Sequence, residues 1–210
     1  MLGKFIIISS PSGGGKGTLI KEVRGMMPEL GYSVSYTTRA QRFGEEHGRE
    51  YFFVSREEFD GLIEDGEFLE YAEVHGNLYG TSLRESERIF QTGKDLIVEV
   101  DVQGAVQIME RLTDDNVSIF ILPPSFEVLE ARLTARRTED EQELRTRLSN
   151  SFNEVQEYSK FKYVIVNHDV SAASRQIASI ITAERQLRDR QKDAIRGILD
   201  SFDASMHLYR

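Results

Sequence analysis

The chain contains no cysteine, which excludes disulfides and thiolate metal sites and leaves stability to core packing and hydrogen bonds. Long apolar runs are missing as well. The cleanest are a few residues, too short for a membrane-spanning helix and unlike the basic-then-apolar leader of a secreted protein. Positive charge is in short supply, with 26 Lys and Arg against 35 Asp and Glu for a net charge of −9. That balance disfavours broad attraction to nucleic acid or anionic membrane, so any anion bound here must be met by cations gathered at one place. No internal repeat or low-complexity tract interrupts the 210 residues, a length that suits one domain with a self-sufficient core and smaller mobile lobes. A soluble, cytoplasmic protein with no nucleic-acid or membrane partner is expected.

What is present is a set of continuous apolar runs at 4–9, 96–100, 119–122 and 163–166. Strands of a parallel sheet covered on both faces read this way, because neither face alternates with solvent. Helical patterns lie between them at 17–27, 83–91, 102–111 and 126–136, and again where Leu144, Leu148, Phe152 and Val155 share one face. The alternation predicts an α/β fold built on a doubly wound parallel sheet. Segment 33–82 breaks the pattern. It offers strand-like stretches at 32–37, 50–54 and 68–74, a short helix at 57–65 and turns at Gly44, Gly48, Gly76 and Gly80, so it reads as a β-rich insert. A second departure, 134–147, is dense in Arg and Glu and suits an exposed helical hairpin able to move as a lid. The expected organisation is a core of 1–32, 83–125 and 149–210, an insert of 33–82 and a lid of 126–148. Beyond 183 the tail is charged and helical, with Leu187, Ile195, Ile198, Leu199 and Phe202 as a broken apolar stripe that fits packing or a dimer contact better than chemistry.

The strongest chemical signal is Ser10-Pro11-Ser12-Gly13-Gly14-Gly15-Lys16-Gly17-Thr18, directly behind the first apolar run. Consecutive glycines let backbone N–H groups turn toward an anion, the following helix adds its positive dipole end, and Lys16 adds a mobile charge. Ser12, Gly13, Gly14, Gly15, Lys16, Gly17 and Thr18 are the expected nucleotide-phosphate residues. The pattern departs from the usual P-loop at Ser10, where Gly is usual, and at Gly17, where a hydroxyl normally touches Mg²⁺. With that hydroxyl gone, the metal is expected to be held by nucleotide and water, with few or no direct protein ligands.

A second cation pair, Arg39 and Arg42, stands among hydroxyls in the insert, with Tyr51 following. Arginines three residues apart can grip a phosphate in a way lysine cannot. Glu70 closes a strand-like run; it is either an exposed strand-end acid or a carboxylate whose two oxygens match the N1–H and amino edge of guanine. Glu99 and Asp101 end a buried strand, where ligands of open α/β sheets collect; Asp101 can also cap the next helix. Arg132, Arg136, Arg137, Arg145 and Arg147 flank the lid, and two or three of them are expected to reach transferring phosphate.

Together these residues resemble the guanylate kinase family, nucleoside monophosphate kinases that phosphorylate GMP with ATP. The resemblance runs from about Lys4 to about Arg188. It is carried best by Ser33-Val34-Ser35-Tyr36-Thr37-Thr38-Arg39, Gly44-Glu45, Gly48, Tyr51-Phe52-Phe53-Val54, Phe68-Leu69-Glu70, Tyr79-Gly80-Thr81, Ile121-Leu122-Pro123-Pro124-Ser125 and Val164-Ile165-Val166-Asn167. It implies a P-loop core with a GMP-binding insert and a small helical lid. It also implies that Ser35, Glu70 and Thr81 read guanine, that Arg39, Arg42, Tyr51 and Tyr79 hold the GMP phosphate, and that Glu99 and Asp101 border the acceptor. Lys16, Arg39, Asp101, Arg132, Arg136 and Arg147 would then serve transfer, Asn167 would lie on the adenine side, and the partners would be ATP with Mg²⁺ and GMP, in a monomer or homodimer. Glu99 stands where the family usually has Asp, Gln41 and Phe43 replace frequent prolines, and Arg137 replaces a lid glycine. The different reading is a guanylate kinase-like phosphopeptide-binding module with weak catalysis. A kinase of the same superfamily acting on a phosphorylated sugar is disfavoured by Ser35 and Glu70.

Overall fold

The computed structural model describes residues 3–74, 76–112, 116–135 and 141–208. Chain order begins with β1 (Phe5–Ser9), α1 (Lys16–Met26), β2 (Gly31–Tyr32), β3 (Tyr36–Thr37), β4 (Phe52–Phe53), α2 (Arg56–Glu64), β5 (Phe68–Val74), β6 (Asn77–Ser82) and α3 (Leu83–Phe90). It continues with β7 (Leu96–Glu99), α4 (Val102–Leu112), β8 (Asn116–Leu122), α5 (Phe126–Ala135), α6 (Glu141–Glu154), β9 (Tyr163–Val166), α7 (Val170–Arg185) and α8 (Lys192–Ser205). Strands β2-β7-β1-β8-β9 form one parallel sheet, as the continuous apolar runs require. No helix among the described residues is long and apolar enough to cross a membrane.

Each central strand divides its apolar residues between two cores, because successive side chains leave a strand on opposite faces. Ile6, Ile8, Ile97, Ile119 and Ile121 pack with Leu19, Ile20 and Val23 of α1 and Ile177 and Ile181 of α7. Ile7, Leu96, Val98 and Phe120 face the other way, against Ile89 of α3 and Ala105 and Ile108 of α4. A third, smaller core of Phe59, Phe68 and Leu78 holds the insert together beneath its own sheet, ordered β4-β3-β6-β5. Helix starts follow their sequence signals: Ser55 makes a capping box with Glu58, Ser82 caps α3, and Asp169 caps α7. The start of α1 is different, with Gly15 in the left-handed region at φ 91° and no side-chain cap.

Three sequence expectations need correction. Residues 32–37 are not one strand: Tyr32 belongs to β2 of the main sheet and Tyr36 to β3 of the insert, and their rings pack in different cores. Pattern shows that a stretch is extended but not which neighbour it pairs with. Gly80 is no turn residue; it lies within β6, opposite Tyr36, and a Cβ there would come within 2.8 Å of the Phe68 ring. The run expected at 119–122 starts earlier, at Asn116, with buried Asn116 and Ser118 continuing the strand beside β1.

Candidate active site

The loop of residues 10–15 leaves the carboxyl end of β1, the middle strand of the main sheet, and enters α1. Its three glycines have separate reasons. Gly13 and Gly15 take positive φ, 83° and 91°, which side-chain-bearing residues rarely adopt. Gly14 is needed for space, since a Cβ there would sit 2.8 Å from the Cβ of Ser10. Ser10 therefore replaces the usual glycine without loss of the turn, its hydroxyl donating to Pro11 O at 3.0 Å. With no side chain capping α1 and no acid in its first turn, the donors of that helix end are left to an anion.

The loop is braced from behind. Asn167, buried at the end of β9, donates from Nδ2 to Gly14 O at 3.1 Å, and Arg132 of α5 donates to Asn167 O at 3.0 Å and Gly14 O at 3.4 Å. From α6, the Glu154 carboxylate accepts the Ser12 N–H at 2.8 Å. Leu129 and Leu133 of α5 lie against Gly13. Thus both α5 and α6 touch the phosphate loop.

Facing the loop is a cleft of about 260 Å³ lined by Ser35, Tyr51, Glu70 and Tyr79 of the 33–82 segment and by Arg147 and Glu154 of α6. Lys16 lies in it, its Nζ donating to Val100 O at 2.6 Å just past β7. Glu99 and Asp101 flank that carbonyl in the cleft wall. Asp101 caps α4, accepting the Gly104 N–H at 3.0 Å, so its sequence reading as a cap holds. Glu99 accepts from the Tyr32 hydroxyl at 3.1 Å, and burial beside that carboxylate pushes the Tyr32 phenol far above its ordinary value.

Glu70 is no surface acid. It is 4% exposed and accepts a hydrogen bond from Thr81 Oγ1 at 2.7 Å. The β5–β6 register makes this pair, with Glu70 opposite Thr81 after an irregularity that follows Phe68 and turns Leu69 into the main core. Gly104 is what lets α4 approach, since a Cβ there would fall 2.5 Å from Glu70 Oε2. Burial pushes the Glu70 carboxyl up to about 7; the Thr81 hydrogen bond opposes this and the Asp101 charge adds to it.

Arg39 is fixed at the rim by Glu45, which accepts its Nη2 at 2.8 and 3.0 Å, and its guanidinium lies 5.5 Å over the Tyr51 ring. The rings of Tyr51 and Tyr79 meet at 5.8 Å. Burial raises the Tyr51 phenol well above its ordinary range. Arg42 is exposed, with its backbone N–H held by the same Glu45 carboxylate at 2.8 Å. Of the expected phosphate residues, Gly17 and Thr18 are exposed on the first turn of α1. Arg136 and Arg137 lie outside the described residues, and Arg145 pairs within α6 with Glu141.

Sequence reading missed Glu154, Glu45 and Tyr32. Glu45 stood in the family-like stretch, but nothing local to Glu154 marks an acid 142 residues from the loop it holds.

A phosphate-binding loop at the carboxyl end of the middle strand of a parallel sheet, with a polar cleft above it, defines a P-loop nucleotide-binding protein. Comparison with known proteins narrows that class. The guanylate kinase family model matches residues 2–184, and the chain belongs to that family. It is 47% identical over 183 residues to guanylate kinase of Geobacter metallireducens, covering 87% of this chain and 90% of the relative. With guanylate kinase of Clostridium tetani it shares 46% over 193 residues, 92% of each chain. The crystal structure of guanylate kinase from Anaplasma phagocytophilum superposes with a TM-score of 0.74 at 36% identity, covering 90% of this chain and 89% of that one.

Proposed function

We infer that this chain transfers the γ-phosphoryl group of ATP to GMP, giving ADP and GDP, and that it accepts dGMP as well. The observation that carries the reading is one cleft with the phosphate loop and Lys16 at one end and the buried Glu70–Thr81 pair at the other. A carboxylate held there accepts both N1–H and the amino group of guanine, a donor pair that adenine does not offer. Ser35 completes the base site, and Arg39, Tyr51 and Tyr79 meet the GMP phosphate, joined by Arg42 when the rim closes.

The acceptor phosphate is already an anionic nucleophile, so no side chain has to act as a base. The demand is to bring two anions into line and neutralise them. On the donor side the loop N–H groups hold the ATP phosphates, Lys16 leaves Val100 O for a phosphate oxygen, and Arg132, Arg136 and Arg147 approach from the lid. The adenine lies beside the Asn167 end of the loop. Mg²⁺ fits the donor set, a hard cation beside the Glu99 and Asp101 carboxylates, with Gly17 offering no hydroxyl. When bound, it would offset the negative charge of the ATP phosphates, with Glu99 and Asp101 placed to hold its water ligands. The core of 1–32, 83–125 and 149–210, the insert of 33–82 and the lid of 126–148 move as separate bodies in this reading.

An ADP-release assay with GMP, AMP, UMP and CMP tests it: GMP is the strongly preferred acceptor, and equal turnover with any non-guanine nucleotide overturns the specificity. Lys16→Ala abolishes GMP-dependent ATP turnover; retained turnover overturns the role of the loop.

A further inference from the structure

Gly17, on the first turn of α1, stands where a P-loop carries the hydroxyl that serves Mg²⁺. What borders the gap is a carboxylate. A Cβ built on Gly17 would lie 3.5 Å from Glu99 Oε1, which is ordinary contact. A serine would therefore fit there, with its hydroxyl in hydrogen-bond reach of that oxygen.

The orientation of Glu99 follows from sheet register. Ile97 of β7 packs with α1, and Glu99, two residues on, leaves the strand on the same face. Tyr32, on the edge strand β2, pairs with Ile97 and packs against the same core. Its hydroxyl donates to Glu99 Oε2 at 3.1 Å, and Oε1 takes no hydrogen bond among the described residues. Arg24, two turns along α1 from Gly17, lies 4.2 Å over the Tyr32 ring. One carboxylate oxygen is thus tied down and the other faces the start of α1.

We propose that Tyr32, Glu99 and Gly17 act as a unit in which Tyr32 positions Glu99, and Glu99 Oε1 supplies, toward the hydrated Mg²⁺ of bound ATP, the oxygen that Gly17 lacks. Gly17 in turn leaves that oxygen without a competing donor. An aspartate, one methylene shorter, could not hold Tyr32 and also reach the space beside Gly17, so the glutamate belongs with the glycine. Tyr32 does not line the cleft and is a positioning residue. The inference rests on the reading of this cleft as an ATP site.

Calorimetric titration with ATP, once with Mg²⁺ and once with a chelator, tests this without turnover. The ratio of the two dissociation constants measures how much the metal contributes to binding. Glu99→Gln should lower that ratio about tenfold, and Tyr32→Phe and Glu99→Asp about threefold each. In Tyr32→Phe the chelator arm should stay within about twofold of wild type, because the residue acts only through Glu99. An equal fall in both arms would make Tyr32 merely structural and overturn its positioning role. Gly17→Ser alone should lower the ratio about threefold, since its hydroxyl donates to Glu99. Combined with Glu99→Asp it should return the ratio to within about twofold of wild type, and adding Tyr32→Phe should then change nothing. Losses that multiply in the double variant overturn the pairing. A ratio indifferent to Glu99→Gln, in a protein whose wild type binds ATP more tightly with Mg²⁺, overturns the role of Glu99 and leaves the kinase reading standing. A wild type with no metal-dependent ATP binding overturns both.

Discussion

Glu70 carries two consequences that an exposed acid would not. Because its folded pKa is raised to about 7 from an ordinary 4.5, the folded protein binds more protons than the unfolded chain between those values. Stability therefore falls as pH rises through that window, and the fall should be absent in Glu70→Gln when urea unfolding is followed from pH 5 to pH 7. Guanine needs the carboxylate form, so the KM for GMP should fall as pH rises through about 7. In Glu70→Gln the amide presents a donor to guanine donors, and the KM for GMP should rise about a hundredfold while that for ATP stays within about twofold. Equal discrimination between GMP and AMP in that variant would remove Glu70 from base reading. Glu154 makes the complementary case on the donor side. Losing its bond to Ser12 N–H in Glu154→Ala should raise the KM for ATP about tenfold and leave that for GMP unchanged. Glu154→Gln keeps an acceptor and should recover most of the loss. Steady-state kinetics of both variants against each substrate decide whether the bond positions the loop.

At the scale of elements, the insert depends on one close approach. Phe68 stacks on Phe59 at 4.5 Å and covers Gly80 on the neighbouring strand, where no Cβ fits. Gly80→Ala should destabilise the protein by about 2 kcal/mol through overpacking, measured by chemical denaturation. It should also weaken GMP binding, because β6 carries Tyr79 and Thr81 on either side of that glycine. The phosphate loop illustrates how much of an element is visible beforehand. Its glycines, its lysine and its place between strand and helix are local features and were legible as such. That Leu129 and Leu133 lie against Gly13 depends on contacts between segments far apart in the chain.

The whole molecule is tied together at Asp95. Burial alone would raise its carboxyl, but hydrogen bonds from the Lys4 N–H, Arg190 and Arg185 outweigh it and hold the pKa below the ordinary value. The group joins the start of β1, the approach to β7, α7 and the root of α8. Asp95→Asn should cost about 2 kcal/mol by breaking a partly buried charge cluster. A lowered carboxyl stabilises the fold above its unfolded pKa. The difference between wild type and variant should therefore be full above about 3.8 and vanish as pH falls through the lower folded value, as urea titrations across pH 2.5 to 6 would show.

What the sequence determined by itself was the class of fold and the inventory of the cleft: continuous apolar runs for a two-faced parallel sheet, a glycine loop for phosphate, and clustered arginines on an acidic chain for a second anion. These are local or compositional signals, and hydrophobic periodicity and backbone conformational limits act over a few residues at a time. Tertiary structure alone decided that Tyr32 and Tyr36 belong to different sheets, that Glu70 is buried against Thr81, and that Glu154 reaches back to Ser12. It also left the stripe of α8 facing solvent. Strand register, burial and side-chain pairing are set by which distant segments share a core, and no local pattern records that choice.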